Sequence, residues 1–218
     1  MTIALDGPVG AGKSSVADEA ARRLGILHLD TGAMYRAIGL YTLRQGIPLS
    51  EEEAVSALAE KVRVDVRYTG GAQHTLVEGE DVTGLIRTPE VSMAASTVAR
   101  YARVRQAMVA LQRRLAAEQP MLVDGRDIGT VVLPNAEVKI YLNADVEERV
   151  RRRRKDFLAK GVDEPLESVV EQIRRRDHND MTREYNPLRK ADDAVEIDTT
   201  GLNVEQVTEA IMKIVNEK

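Results

Sequence analysis

Cysteine is absent from this chain, which excludes disulfides, thiolate metal sites and a cysteine nucleophile. The three histidines, His28, His74 and His178, are too scattered to form a ligand spacing, so no zinc site is readable. Tryptophan is missing and Phe157 is the single phenylalanine. With aromatics at 3%, a stacking platform for single-stranded nucleic acid is hard to build, and a nucleic acid polymer is not an expected partner. No apolar run approaches the roughly 18 residues of a membrane span, and Met1 to Asp6 lacks the basic start and apolar stretch of a signal peptide. The expectation is a cytoplasmic protein with no membrane partner.

What is present suits an ordinary globular chain: 218 residues, 43% hydrophobic and 30% charged, enough for one sizeable core or one core with a small insertion. The net charge is −4, but residues 149–190 carry 13 basic side chains against 8 acidic ones. A cationic segment on an acidic chain suits a small anionic ligand better than a long polyanion. No exposed apolar stripe is obvious, which favours a monomer.

Apolar runs at Ile3–Leu5, Ile26–Leu29, Met121–Val123, Val138–Leu142 and Ala194–Ile197 read as buried strands. Between them lie helical patterns, among them Val16, Ala17, Ala20, Ala21 and Leu24 on one face before Gly25, and Val91, Ala94, Ala95 and Val98 after Thr88-Pro89. Ser50 with Glu53 has the pattern of a capping box. Val62–Val66 and Thr75–Val77 flank Gly70-Gly71 as a small antiparallel insertion. Strands alternating with helices predict an α/β fold, a parallel sheet covered on both faces with ligands at the strand carboxyl ends.

Gly7, Pro8, Val9, Gly10, Ala11, Gly12, Lys13 and Ser14, followed by Ser15, fit G-x-x-x-x-G-K-[ST] between a strand and a helix. Glycines at 7, 10 and 12 can take positive φ and turn N–H groups inward, making a nest for the phosphates of ATP. Lys13, on a loop expected to face solvent, can bridge the β and γ phosphates. Ser14 is placed for Mg²⁺, and Asp124, ending the run Met121–Val123, is placed for the waters of that ion.

Such a cradle fits hydrolases, switches and kinases alike. No Asn-Lys-x-Asp run of guanine-reading GTPases is present, whereas Asp30-Thr-Gly-Ala-Met-Tyr-Arg36 ends the second strand, where an arginine can meet a phosphate bidentately. Together with Val77–Val82, Ile86–Thr88, Ala94–Ser96, Arg103–Arg105, Asp124–Val132, and Arg176-Asp177 followed by Asp180 and Arg183, this pattern resembles bacterial cytidylate kinases, members of the nucleoside monophosphate kinase group of P-loop proteins. The likeness spans nearly the whole chain.

The resemblance implies transfer of a phosphoryl group from ATP to CMP or dCMP on a single P-loop domain over 1–218. It also implies a monophosphate-binding insertion at about 60–87 and an arginine-rich lid at about 149–183; read as charges alone, about half of those arginines are expected to be simply solvated. It assigns Arg36, Arg126 and Arg183 to the acceptor phosphate, and Ser96, Arg105 and Asp127 to cytosine. Tyr35, Arg176 and Asp180 fall around the sugar and closed lid, and Thr31 is a further substrate-binding candidate. Lys13, Asp124, Arg126 and Arg183 are the candidate catalytic residues. Chemically, Asp127 can accept from the exocyclic amine of cytosine and repel the oxygen of uracil, and Arg105 can donate to the ring acceptors. Other readings stay open: a P-loop kinase for UMP or a non-nucleotide alcohol, or an ATP-dependent switch that transfers nothing.

Overall fold

A computed structural model describes residues 1–159 and 161–217. The chain opens with strand β1 (Thr2–Asp6), helix α1 (Lys13–Leu24), β2 (Leu27–Asp30) and α2 (Thr31–Arg44). Then come α3 (Glu52–Lys61), the strands β3 (Val64–Thr69), β4 (Ala72–Val77) and β5 (Glu80–Asp81), and helices α4 (Pro89–Val98) and α5 (Ala102–Glu118). Strand β6 (Met121–Gly125) leads through a π turn (Ile128–Val132) to β7 (Val138–Asn143) and α6 (Val146–Ala159). The chain continues through α7 (Leu166–Thr182), β8 (Val195–Asp198) and α8 (Val204–Asn216).

Five strands form one sheet in the order β2-β6-β1-β7-β8, with every neighbouring pair parallel. Burial on both faces explains why β1 is a continuous apolar run: Ala4 joins the core beneath α2, α4 and α5, while Ile3 and Leu5 join the core beneath α1 and α8. Gly25, in the left-handed region at φ 65°, closes α1, as expected of a glycine after the last helical turn. Thr88 caps α4 by accepting from the Val91 N–H.

The antiparallel insertion β3-β4-β5 is tied to the main sheet through β2. Tyr68 donates its hydroxyl to the His28 carbonyl at 3.0 Å, and the Gln73 amide bonds both backbone groups of Asp30. The Gly70-Gly71 pair turns at φ 60° and 84°, matching the twist of the hairpin it joins.

Three local features differ from expectation. The Ser50–Glu53 capping box does not form, because Ser50 belongs to a tight turn in which the Glu51 and Glu52 N–H groups reach the Pro48 and Ser50 carbonyls. A capping box forms instead at Asn203 and Gln206, opening α8. The π turn after Asp127 has no counterpart in the sequence pattern; it is a product of tertiary contacts.

Candidate active site

Between β1 and α1 the backbone folds into the anticipated cradle, with φ of 149°, 79° and 89° at Gly7, Gly10 and Gly12. Gly7 admits no side chain, since a Cβ there would lie 2.1 Å from the Leu142 carbonyl oxygen. No side chain caps α1, so its first N–H groups remain available to an anion. Lys13 is buried rather than solvent-facing: its ammonium donates to the carbonyls of Gly7 (2.7 Å) and Pro8 (2.8 Å). Burial, reinforced by Arg126, pushes its pKa down to about 7.

The strand register aligns the rest of the site. Asp30 pairs with Asp124, and Asp6 with Gly125, so three neighbouring strands end at one level. Ser14 donates its hydroxyl to Asp124 Oδ2 at 2.9 Å, which joins two hard oxygen donors of the kind Mg²⁺ takes. Behind them sits His28, which reading the histidines by spacing alone overlooked. Its Nδ1 donates to Asp18 at 2.6 Å, and its Nε2 lies 3.5 Å from Asp124 Oδ2, an ion-pair separation rather than a hydrogen bond. Burial would raise the Asp124 pKa, yet His28, Lys13 and Ser14 outweigh it and hold the carboxyl at about 2. For His28 burial acts in the opposite sense and is likewise outweighed, by Asp124 and Asp18, so the imidazole rises to about 10.

Val9, Gly10, Gly12 and Lys13 to Ser15 line one side of a cavity of about 230 Å³. Thr31, Tyr35 and Arg36 from α2, Ser96 from α4 and Arg105 from α5 line the other, with Asp124, Arg126 and Asp127 from the end of β6 and Arg176, Asp180 and Arg183 from α7 and its end. Of the anticipated set, Gly7, Pro8 and Ala11 do not reach the cavity; they shape the loop, the first two as acceptors for Lys13 and Ala11 through its carbonyl to Thr199.

Asp127 is gripped by Arg105 (2.5 Å) and approached by Arg183 (3.6 Å), while Arg126 pairs with Asp180 at 2.8 Å. Arg36 lies 3.4 Å from Asp30. The cavity is lined by seven cationic side chains against five carboxylates. Burial and then Arg126 press the Arg176 pKa down to about 9, and burial and then Arg105 press Arg183 downward. Arginine keeps its proton, so this pressure favours uptake of an anion. The buried Tyr35 hydroxyl, Ser96 hydroxyl, Arg105 Nε, Arg176 Nε and Arg183 Nη2 all lack a hydrogen-bond partner among the described residues. Buried polar atoms are ordinarily paired, so a cavity lined by five such groups is built for a polar ligand.

Two further residues belong here. Arg153 turns into the cavity with its guanidinium over the Phe157 ring at 4.5 Å; a spacing of four from Arg149 places both on one helix face. Arg149 itself is structural, bonding the Val9 carbonyl and Asp177, and Arg151 pairs with Glu148 at the surface. Asp6 accepts from the Ile128 and Gly129 N–H groups at 2.8 Å each, holding the π turn that follows Arg126 and Asp127. Its burial pushes its pKa up to about 6.

Comparison with known proteins is consistent across the chain. A family described as cytidylate kinase matches residues 3–217. A cytidylate kinase of Geobacillus sp. (strain WCH70) is 50% identical over 100% of this chain and 97% of its own length. That of Geobacillus kaustophilus (strain HTA426) is 51% identical with the same coverage. Among solved structures, a gluconokinase from Sinorhizobium meliloti 1021 superposes with a TM-score of 0.51 at 14% identity, covering 99% of this chain and 91% of its own, a likeness of fold alone.

Proposed function

Because the chain belongs to the cytidylate kinase family, a group of nucleoside monophosphate kinases, we propose that its two-sided cavity performs that reaction: the γ-phosphoryl group of ATP passes to CMP or dCMP, giving ADP and CDP or dCDP. One observation supports this above the others: the glycine-rich cradle and the arginine-lined pocket open on the same cavity. A nucleoside triphosphate on the first therefore faces a monophosphate in the second.

Lys13 leaves the Gly7 and Pro8 carbonyls to meet the β and γ phosphates, and the amide nest holds them. Arg36, Arg126 and Arg183 receive the acceptor phosphate, lessening the repulsion between two polyanions brought in line. Asp127, Arg105 and Ser96 read cytosine, and the unpartnered Arg105 Nε and Ser96 hydroxyl are the groups a base edge would satisfy. Tyr35, Thr31, Arg176 and Asp180 line the space left for the sugar. The residues fit Mg²⁺ at Ser14 and Asp124; when bound, the ion neutralises charge on the leaving phosphates. The insertion at about 60–87 closes on the acceptor, and the segment at about 149–183 acts as a lid, bringing Arg153 and Arg176 over the phosphates and excluding water. No helix among the described residues is long and apolar enough to cross a membrane, and we place the enzyme in the cytoplasm.

An ADP-release assay against CMP, dCMP, UMP, AMP and shikimate tests the reading. Turnover highest on CMP or dCMP is expected. Equal or better turnover on any other acceptor would reassign the pocket, and tight ATP binding without acceptor-dependent turnover would favour a switch.

A further inference from the structure

The helices that bring Arg153 and Arg176 to the cavity carry a second face that catalysis leaves unused. On α6, Val150, Arg154 and Leu158 recur at intervals of four; on α7, Leu166, Val170 and Arg174 do the same. Such spacing lays each set along one stripe of its helix, turned away from the arginines facing the nucleotides. The two stripes border an open groove of about 510 Å³. Its floor is apolar and wet: Leu158 is 51% exposed, Leu166 45% and the neighbouring Val146 37%. The expected lack of an apolar stripe, from which a monomer was read, does not hold at this place. Contiguous exposed apolar surface on a soluble chain marks an interaction site more often than chance.

The rim identifies what fits. Arg151, Arg154, Lys155 and Arg174 border the groove against a single lining carboxylate, Glu147; Arg151 is paired with Glu148, and among the described residues Arg154, Lys155 and Arg174 have no carboxylate within 4.0 Å. This is the cationic segment of a chain that is otherwise acidic, with a net charge of −4 overall. Eight residues of helix rise about 12 Å, so each wall offers roughly two turns of contact, the length engaged by apolar residues at i, i+4 and i+7 of a docking helix. We propose that this outer groove of α6 and α7 is a docking site for an acidic amphipathic helix of a partner protein. The partner's apolar side chains would sit on Leu158 and Leu166, and its carboxylates would meet Arg154, Lys155 and Arg174. The charges steer the encounter and exclude basic partners, and the apolar floor supplies the burial.

The probe is a fluorescein-labelled 18-residue helical peptide with leucine along one face and glutamate elsewhere, compared with the same peptide carrying lysine for glutamate. Anisotropy titrations on the intact chain should give saturable binding of the glutamate peptide, weakened several-fold as salt is raised, and at least ten-fold weaker binding of the lysine peptide. Leu158→Glu and, separately, Arg174→Glu should each cut affinity ten-fold or more while leaving the far-UV circular dichroism spectrum unchanged. Absence of saturable binding, equal binding of both peptides, or affinity that survives both substitutions would overturn the proposal. So would a dimer in sedimentation that Leu158→Glu dissolves, because the occupant would then be a second copy of the chain.

Discussion

Nη2 of Arg105 lies 2.5 Å from Oδ2 of Asp127, and both side chains are almost wholly buried. The two residues expected to read opposite features of one base therefore hold each other, and a base entering the pocket must engage the atoms this pair leaves over. Asp127→Ala should lower the CMP over UMP ratio of kcat/KM by about 1 to 3 kcal/mol. It should also lower stability by about 3 to 5 kcal/mol, since the buried Arg105 keeps the Ala99 carbonyl but loses its counter-ion. The double change Arg105→Met with Asp127→Leu should recover much of the melting temperature and none of the selectivity. An unchanged ratio in Asp127→Ala would move base reading elsewhere.

Lys13→Ala removes the ammonium that would stabilise charge on the transferring group, together with its two bonds to the loop. CMP-dependent turnover should fall by about 10²-fold or more. The melting temperature should also fall, because the buried Gly7 and Pro8 carbonyls lose their donor, so turnover is compared at a temperature where both chains are folded. Near-normal turnover would remove Lys13 from the chemistry.

His28 stands between Asp18 and Asp124, so it acts on the site through Asp124 rather than by touching a nucleotide. Replacing it with Leu should weaken Mn²⁺ binding, read by electron paramagnetic resonance, and raise the Mg²⁺ concentration required for half-maximal turnover. His28→Gln, which keeps a donor near Asp124, should restore part of both. Identical behaviour of the two variants would assign the histidine to packing alone.

Asp6 gives a pH signature. Burial raises its pKa from 3.8 to about 6 despite its two backbone donors. Between those values the folded chain holds a proton that the unfolded chain has lost, so this contribution is full below pH 3.8 and disappears as pH rises through about 6. Urea melts of the parent and of Asp6→Asn should therefore show a stability difference that moves against the parent by up to about 3 kcal/mol from pH 4 to 7. A difference moving in the parent's favour would mean that the N–H groups of Ile128 and Gly129 outweigh burial.

The cradle was legible because its chemistry is local: glycines that must turn, then a lysine and a serine at fixed offsets. The parallel sheet was legible because strands buried on both faces lose their alternation, as Ile3–Leu5 does. The positions of Arg105 and Arg183 came only through family resemblance, since a surface arginine on α5 and a buried one look alike in one dimension. Asp6 and His28 were missed for a related reason. Their partners lie 122 and 96 residues away, at Ile128 and Asp124, and no short pattern records such distances. The Ser50 pattern failed the other way, its local promise overruled by the turn from Pro48.

Strand β6 lies between β1 and β2, with Asp6 beside Gly125 and Asp30 beside Asp124. Adjacent strands are spaced by about 4.8 Å, so the roots of the donor cradle and of the acceptor segment stand roughly 10 Å apart on one hydrogen-bonded raft. That interval is set by backbone geometry and is untouched when peripheral parts swing. On the proposed reading, the lid and the insertion can move to admit nucleotides without altering that span.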